Sequence, residues 1–116
     1  MKVLIIDDNP KMRTFIRQVL TETSTEIHEC TDGQWALQAY REHQPDWVFM
    51  DIKMNVKDGI TATKEIHEEF PEAKIIIVTE YSDDIFRKEA KAAGAIDYVL
   101  KENLLSIVPK LTGERT

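Results

Sequence analysis

The chain has 116 residues, a length that suits a single domain with one core. It carries 21 acidic and 15 basic residues, for a formal net charge of −6, and this excess of acids argues against direct binding of nucleic acid. Its lone cysteine, Cys30, excludes an internal disulfide and a multi-cysteine zinc site. No apolar run approaches the roughly 20 residues of a membrane-spanning helix. Because no signal peptide is evident either, we expect a cytoplasmic protein without membrane contact.

The first strand is predicted where residues 3–6 form a continuous apolar run that ends in Asp7 and Asp8. Asn9 and Pro10 then predict a helix start, with the asparagine as capping residue and the proline at the first helical position. Apolar residues at helical spacing predict the stripe that this helix lays on a sheet; they are Met12, Phe15, Ile16, Val19 and Leu20.

The second strand, Glu26–Cys30, follows a polar stretch (21–25) that predicts a loop, and its mixed character indicates an edge position. After a break at Asp32 and Gly33, residues 35–43 predict a helix. Its inward face is predicted to comprise Ala36, Leu37 and Tyr40.

The next segment, Trp47–Met50, is apolar throughout and leads to a single carboxylate, Asp51. Continuous apolar character is typical of a strand covered on both faces, as in a parallel sheet. Asp51 would then lie at the carboxyl end of a central strand, where open α/β sheets bind ligands. The simpler alternative is an aspartate that ends a strand before a turn.

The second half continues the alternation of helix and strand. A helix with Ile60, Thr63, Ile66 and Phe70 on one face stops at Pro71, and a strand over 73–78 ends at Thr79. Ser82 is predicted to cap a helix over 83–93 that Gly94 closes, and a strand over 95–100 ends at Lys101. Asn103 is predicted to cap a last helix that turns Leu104, Leu105, Val108 and Leu111 inward. Five strand–helix alternations predict a doubly wound three-layer α/β/α sandwich, (βα)5, with a parallel sheet.

The polar strand ends are predicted to converge, because parallel strands end at one edge of their sheet. Asp7, Asp8, Asp51, Thr79 and Lys101 would then share one crevice. Two carboxylates about 4 Å apart repel by roughly 4 kcal/mol at an effective dielectric constant near 20. One lysine offsets part of this repulsion, and the all-oxygen ligand set favours Mg²⁺ for the rest. Such a site suits phosphoryl transfer, in which a carboxylate can be the nucleophile.

In order and spacing, the motifs resemble those of the receiver domain of two-component response regulators, from Val3 to about Leu111. The matching short motifs lie at residues 5–10, 32–33, 45–46, 50–54, 58–59, 77–79, 92–95 and 98–101. The resemblance implies the strand order 2-1-3-4-5 and a single receiver domain over 1–116, with any output domain absent or removed.

The resemblance also implies a role for each site residue. Asp51 is implied to be the phosphoacceptor, and Lys101 to pair with the phosphoryl oxygens. Thr79 and Tyr98 are implied to be switch residues, with Thr79 moving to the phosphate and Tyr98 following it inward. Mg²⁺ is implied to bind Asp8, Asp51 and the Lys53 backbone carbonyl, with Asp7 bound mainly through water.

The partners that the resemblance implies are a sensor histidine kinase and an output domain or downstream protein. The latter would dock on the face formed by residues 83–111, and a homodimer is left open. The loop after Thr79 and the chain ending are similar to receivers joined to helix-turn-helix domains, which implies a transcriptional output. A receiver is not an enzyme, since it promotes only its own phosphorylation and dephosphorylation.

Departures from the family pattern affect the rim of the predicted site. Asn55 and Glu102 stand where the family usually has proline, and Glu80 stands where a small residue is usual. Lys53 and Tyr81 occupy positions that, in the family that this chain resembles, tune how fast water removes the phosphate. We hypothesise that Glu80 weakens anion binding and that a bulky Tyr81 shields the acyl phosphate.

Three other classes of protein share parts of this pattern. A flavodoxin needs a hydroxyl- and glycine-rich phosphate loop where this chain has Asp7–Pro10, and a haloacid-dehalogenase phosphatase needs an acid where it has Asn9. The serious alternative is a degenerate receiver that binds proteins independently of phosphorylation.

The three histidines lie on presumed surface elements, and no convergent metal ligands are expected around them; they are His28, His43 and His67.

Overall fold

The computed structural model describes residues 1–21 and 26–112. The predicted loop at 21–25 therefore falls mostly outside the described residues. Along the described chain, five strands alternate with five α-helices, and short 3₁₀ segments lie at Gly33–Trp35 and Lys101–Ser106. The elements are β1 (Lys2–Ile6), α1 (Pro10–Leu20), β2 (Glu26–Cys30), α2 (Ala36–His43), β3 (Trp47–Met50), α3 (Gly59–Glu69), β4 (Ile75–Thr79), α4 (Asp84–Ala93), β5 (Asp97–Leu100) and α5 (Ile107–Thr112).

The five strands form one parallel sheet in the order β2-β1-β3-β4-β5. This confirms the predicted fold class and strand order. In the register of the sheet, Ile6 pairs with Met50 and Met50 pairs with Ile77. The residues that directly follow β1 and β3 are therefore level with each other at one edge of the sheet.

The sheet is covered on both faces, which explains its continuously apolar strands. Alternate strand residues enter opposite cores, because successive side chains point to opposite faces. One core packs the sheet against α2, α3 and α4 and includes Leu4, Ile6, Val48, Met50, Ile75 and Ile77. The other packs it against α1 and α5 and includes Val3, Ile5, Phe49, Ile76, Val78 and Val99.

The helix ends follow the predictions only in part. Asn9 caps α1 by accepting from the backbone N–H groups of Lys11 and Met12, and Gly94 ends α4 in the left-handed region with φ +114°. Ser82 was wrongly predicted as a cap, because α4 begins one residue later than expected and Asp83 holds the capping position. Asn103 lies inside the 3₁₀ segment at a kink (φ −112°, ψ 27°) and caps no helix.

Two residues predicted to face inward are exposed. Phe15 is 44% exposed and Leu105 is 72% exposed, whereas Ile107 is fully buried. The 3₁₀ segment before α5 has three residues per turn, so it shifts the inward stripe away from the one expected of a continuous α-helix. Within the described residues, none of the helices combines the length and the apolar character that crossing a membrane would require.

Candidate functional site

The carboxyl ends of β1, β3 and β5 bring three charged side chains together. Asp7 and Asp51 directly follow β1 and β3, and the backbone N–H of Asp51 donates to the Ile6 carbonyl at 2.9 Å. Nζ of Lys101, which follows β5, lies 3.1 Å from Oδ2 of Asp7 and 3.1 Å from Oδ2 of Asp51. The convergence predicted from the strand ends is therefore present for these residues.

Among the acids that the structure describes, Asp7 is the most deeply buried, with 1% of its surface exposed. Its Oδ1 accepts from the backbone N–H of Asn9 at 2.9 Å, and its carbonyl accepts from the Arg13 guanidinium at 2.7 Å. Burial raises the pKa of Asp7, and the nearby Asp51 carboxylate adds to that rise against the lowering effects of Asn9 and Lys101. The net pKa of Asp7 is raised, so a further cation that binds beside it would stabilise the ionised carboxylate.

Lys101 is held in its charged form by the two carboxylates. Burial by itself lowers the pKa of Lys101, but Asp51 and Asp7 outweigh burial and the net pKa is raised. The ammonium is therefore a fixed positive charge between two carboxylates, in the position where an incoming anion would need a partner.

The acidic cluster has the donors for a hard divalent cation. Carboxylate oxygens of Asp7, Asp8 and Asp51 lie within 4.8 Å of one another. Oδ2 of Asp7 is buried and accepts no well-aligned hydrogen bond, although Lys101 lies beside it. Asp8 is exposed at the rim, which leaves the cluster open to solvent on one side. An all-oxygen set with an unsatisfied buried oxygen and a solvent side fits Mg²⁺, which keeps several waters.

Asp32 contributes a contact that the sequence did not reveal. Its carboxylate, 4% exposed, accepts from the backbone N–H groups of Gln34 at 2.9 Å, Val56 at 2.8 Å and Lys57 at 3.0 Å. The carboxylate thus ties the loop after β3 to the loop after β2. The Asp-Gly pair signals a turn in sequence, but nothing local signals an attachment to residues 24 and 25 positions away.

Gly59 begins α3 directly against the site. A Cβ at this position would lie 1.7 Å from the Asp51 carbonyl oxygen, and the Gly59 N–H donates to the Ile52 carbonyl at 2.8 Å. The backbone of α3 therefore approaches Asp51 more closely than any side chain permits. Asp58 caps the same helix by accepting from the Thr61 N–H at 2.9 Å.

The two predicted switch residues are linked through the backbone of Tyr81. Thr79 is fully buried at the end of β4, and its hydroxyl accepts from the Tyr81 N–H at 3.4 Å. The Tyr98 hydroxyl donates to the Tyr81 carbonyl at 2.5 Å, and the Arg87 guanidinium lies 4.5 Å from the centre of the Tyr98 ring. A movement of Thr79 would therefore be transmitted to Tyr98 and α4 through the backbone of Tyr81.

The three residues predicted to tune the site lie in two loops, Lys53 after β3 and Glu80 and Tyr81 after β4. Nζ of Lys53 lies 5.5 Å from the centre of the Tyr81 ring and 5.4 Å from that of Phe86, which is within the range of a cation–π contact. The two rings pack edge to face, with centres 5.8 Å apart. Glu80 is exposed beside them. These contacts hold the Tyr81 side chain between the loop after β3 and α4.

The histidines are not scattered as expected. The rings of His28 and His43 stack with centres 3.5 Å apart, and Nε2 of His28 lies 2.5 Å from Oε2 of Glu26. The prediction of no convergent ligands was therefore wrong for this pair. The sequence could not show it because α2 brings His43 back across the sheet to the start of β2.

Fold and site together define a doubly wound parallel α/β domain with an acidic crevice and a lysine at its carboxyl edge. A family model described as the response regulator receiver domain matches residues 3–108. The chain is 40% identical to the chemotaxis protein CheY of Halobacterium salinarum over 100 residues, covering 86% of this chain and 83% of that protein. It is 38% identical over 104 residues to the oxygen regulatory protein NreC of Staphylococcus haemolyticus, covering 87% and 48% respectively.

Solved structures agree with these relatives. A two-component response regulator of the LuxR family from Aurantimonas superposes with a TM-score of 0.85 at 30% identity, covering 98% of this chain and 86% of that one. The response regulator domain of Thermotoga maritima CheB superposes with a TM-score of 0.83 at 26% identity, covering 98% and 92%. The chain belongs to the receiver-domain family of two-component response regulators.

Proposed function

We propose that this receiver is a phosphorylation-controlled signalling switch, with Asp51 as the phosphoacceptor and a sensor histidine kinase as the donor. The observation that carries the proposal is the Lys101 ammonium at 3.1 Å from both Asp7 and Asp51. It places a fixed cation beside the Asp51 carboxylate at the end of β3, where the ammonium can stabilise phosphoryl oxygens. Residues 1–116 would make up one receiver domain.

The transfer would form one bond and break another. A carboxylate oxygen of Asp51 attacks the phosphorus of a phosphohistidine, the P–N bond breaks, and the released imidazole nitrogen takes up a proton. The product is an acyl phosphate on Asp51. Lys101 remains charged throughout and pairs with a phosphoryl oxygen. The receiver turns over no other substrate in this scheme.

The residues that would hold Mg²⁺ are Asp8, Asp51 and the Lys53 backbone carbonyl, with Asp7 acting mainly through water. When bound, the cation would neutralise charge on the carboxylates and on the transferring phosphoryl group. Asn9 and Arg13 orient the backbone and carboxylate of Asp7. Asp32 holds the loop that carries the Lys53 carbonyl, because it accepts from the N–H groups of Val56 and Lys57.

The switch would operate by differential contacts. A phosphoryl group adds acceptor oxygens next to β4, and the Thr79 hydroxyl, which accepts from the Tyr81 N–H, would move toward the site to donate its own proton to one of them. Because Tyr98 bonds to the carbonyl of Tyr81, its arrangement responds to the same move. The phosphorylated protein therefore favours a different placement of Tyr98 and α4.

The partner surface would be the face of α4, β5 and α5 within residues 83–111. Three of its apolar side chains are largely exposed: Ile85 at 58%, Ile96 at 55% and Leu105 at 72%. We propose that an output domain, a downstream protein or a second copy docks here, and that the output is transcriptional. Similarity to a LuxR-family regulator supports the last point. Sedimentation with and without beryllofluoride and Mg²⁺ tests for the homodimer.

The test of the phosphoacceptor is mass spectrometry after a small phosphodonor and Mg²⁺. We expect one added phosphoryl group, which is lost in Asp51→Asn and kept in the control Asp84→Asn, an exposed acid on α4. An unmodified wild-type chain, or an Asp51→Asn variant that is still modified, would contradict the proposal. An unmodified chain would instead support a degenerate receiver that binds proteins independently of phosphate.

The tuning residues are tested by the decay of the phosphorylated protein. We propose that Tyr81 shields the acyl phosphate, so that Tyr81→Ala dephosphorylates faster. Phe86→Ala is the control, because it removes the ring that packs against Tyr81 but keeps the Tyr81 side chain itself. We also propose that Glu80 weakens anion binding, so that Glu80→Ala is phosphorylated faster by a small donor. Unchanged rates would remove these roles.

A further inference from the structure

A second group of metal-ligating side chains lies at the opposite edge of the sheet from the acidic cluster. Glu26 and His28 are two residues apart on β2, so their side chains point to the same face of the sheet. Their β1 partners are Lys2 and Leu4, the first and third residues of β1. A five-residue strand separates this edge from Asp7 by about 15 Å.

His43, the last residue of α2, completes the group. One ligand atom from each of Glu26, His28 and His43 lies within 4.8 Å of the other two. The side chains of His28 and Glu26 are 28% and 51% exposed, and His43 is half-buried. The donors are thus both close together and open to solvent.

We propose that Glu26, His28 and His43 form a binding site for a divalent transition-metal ion such as Zn²⁺. Two imidazole nitrogens and one carboxylate oxygen are a donor set that Zn²⁺ uses when its fourth position is left to water. Imidazole ligands select Zn²⁺, Cu²⁺ or Ni²⁺ over Mg²⁺, which prefers oxygen. The two edges of the sheet would therefore take different metals.

Binding requires a local rearrangement. Metal–ligand distances of 2.0–2.2 Å place tetrahedral donors about 3.3 Å apart. Nε2 of His28 and Oε2 of Glu26, which are 2.5 Å apart, must therefore separate slightly, and His43 must adjust its position to complete the set. The stacked rings are nearly parallel, with 13° between their planes, and at least one must turn to aim its lone pair at the ion. Lys2, whose Nζ lies 4.0 Å from Glu26 Oε2, must also give up that contact.

The ion would join β2 to the end of α2, two elements that are separate in sequence. Because it binds only the folded arrangement, it would raise the thermal midpoint of unfolding. This effect is independent of phosphorylation at Asp51.

The experiment is a calorimetric titration of the whole chain with Zn²⁺ in excess Mg²⁺, which occupies the acidic cluster. We expect one Zn²⁺ per chain, with the affinity lowered at least about tenfold in His28→Gln and in His43→Gln. The controls are His67→Gln, a histidine on α3, and Asp8→Asn at the acidic cluster; both should stay within about twofold of the wild type.

A second measurement on the wild type does not depend on variants. Zn²⁺ should shift the ring resonances of His28 and His43 in NMR spectra and leave those of His67 in place. The proposal is overturned if Zn²⁺ binding is absent, if it survives in both His variants, or if Asp8→Asn rather than a His variant abolishes it. Resonance shifts confined to His67 or to the acidic cluster would overturn it as well.

Discussion

The Asp7 carboxylate is shielded from solvent and shares the Lys101 ammonium with a second carboxylate, that of Asp51. Its pKa is raised in the folded protein, first by burial and also by Asp51. Folding stability from this group therefore falls as the pH rises from the unfolded value of 3.8 through the higher folded pKa. At neutral pH the ionised group costs stability, as functional residues often do.

We predict that Asp7→Asn raises the free energy of unfolding at neutral pH by about 1–2 kcal/mol when no divalent cation is present. The amide keeps the size of the side chain but removes the charge that repels Asp51. Urea unfolding with a chelator measures the change, with Glu68→Gln on the exposed face of α3 as control. A less stable variant would show that the ion pair with Lys101 outweighs the repulsion.

Asp32 shows the opposite balance. Burial by itself raises the pKa of Asp32, but the backbone N–H groups of Gln34, Val56 and Lys57 outweigh burial, so the net pKa is lowered. Its contribution to stability is therefore fully present above the unfolded value of 3.8 and is lost as the pH falls through the lower folded pKa.

We predict that Asp32→Ala lowers the free energy of unfolding at pH 7 by about 2–4 kcal/mol, because buried N–H groups lose a charged acceptor. The difference from the wild type should shrink at pH values below the folded pKa of Asp32. Urea unfolding across this pH range measures it. A difference that stays constant with pH would contradict the role of the charge.

At the scale of elements, the start of α3 is set by contact rather than by helix propensity. Alanine is a better helix former than glycine by about 1 kcal/mol. At Gly59, however, the added Cβ would lie 1.7 Å from the Asp51 carbonyl oxygen, which is a backbone atom that cannot rotate away.

We therefore predict that Gly59→Ala lowers the free energy of unfolding by about 2–3 kcal/mol, against its propensity. The matched control is Lys64→Ala, at an exposed position of the same helix, which should stay within about 0.5 kcal/mol. Chemical unfolding of both variants measures this. A Gly59→Ala variant as stable as the wild type would mean that α3 can shift away from the site without loss.

The coupling between β4, β5 and α4 passes through the Tyr98 hydroxyl, which donates to the Tyr81 carbonyl. We predict that Tyr98→Phe is phosphorylated by a small donor at the rate of the wild type but shows smaller phosphorylation-dependent NMR shifts on α4. The ring and its contact with Arg87 remain, and only the hydroxyl is lost. Equal shifts in both proteins would place the coupling elsewhere.

For the whole molecule, a cation at the acidic cluster should stabilise the fold by mass action, since the unfolded chain holds no such cluster. We predict that saturation with Mg²⁺ at about 100 times its dissociation constant adds about 2.7 kcal/mol to the stability of the wild type. The thermal midpoint should rise accordingly. Asp8→Asn should show a smaller rise, and an equal rise would place the ion elsewhere.

The organisation of the molecule followed from its pattern of residues. The apolar runs before Asp7, Asp51 and Thr79 predicted buried parallel strands, and their polar ends predicted the crevice, because parallel strands end together. Helix registers were less predictable. Phe15 and Leu105 fit the helical spacing of an inward stripe, yet both are exposed. Leu105 lies in a 3₁₀ segment, whose three residues per turn shift the stripe away from that of an α-helix.

The sequence by itself determined the class of fold, the edge at which the acids meet and the family, since hydrophobic periodicity and strand-end chemistry are local properties. Only the tertiary structure decided which distant groups touch. The attachment of Asp32 to residues 56 and 57, the passage of Gly59 over Asp51 and the stacking of His28 on His43 depend on how loops and helix ends return across the sheet. Those paths are set by packing in three dimensions, and residues nearby in the sequence do not predict them.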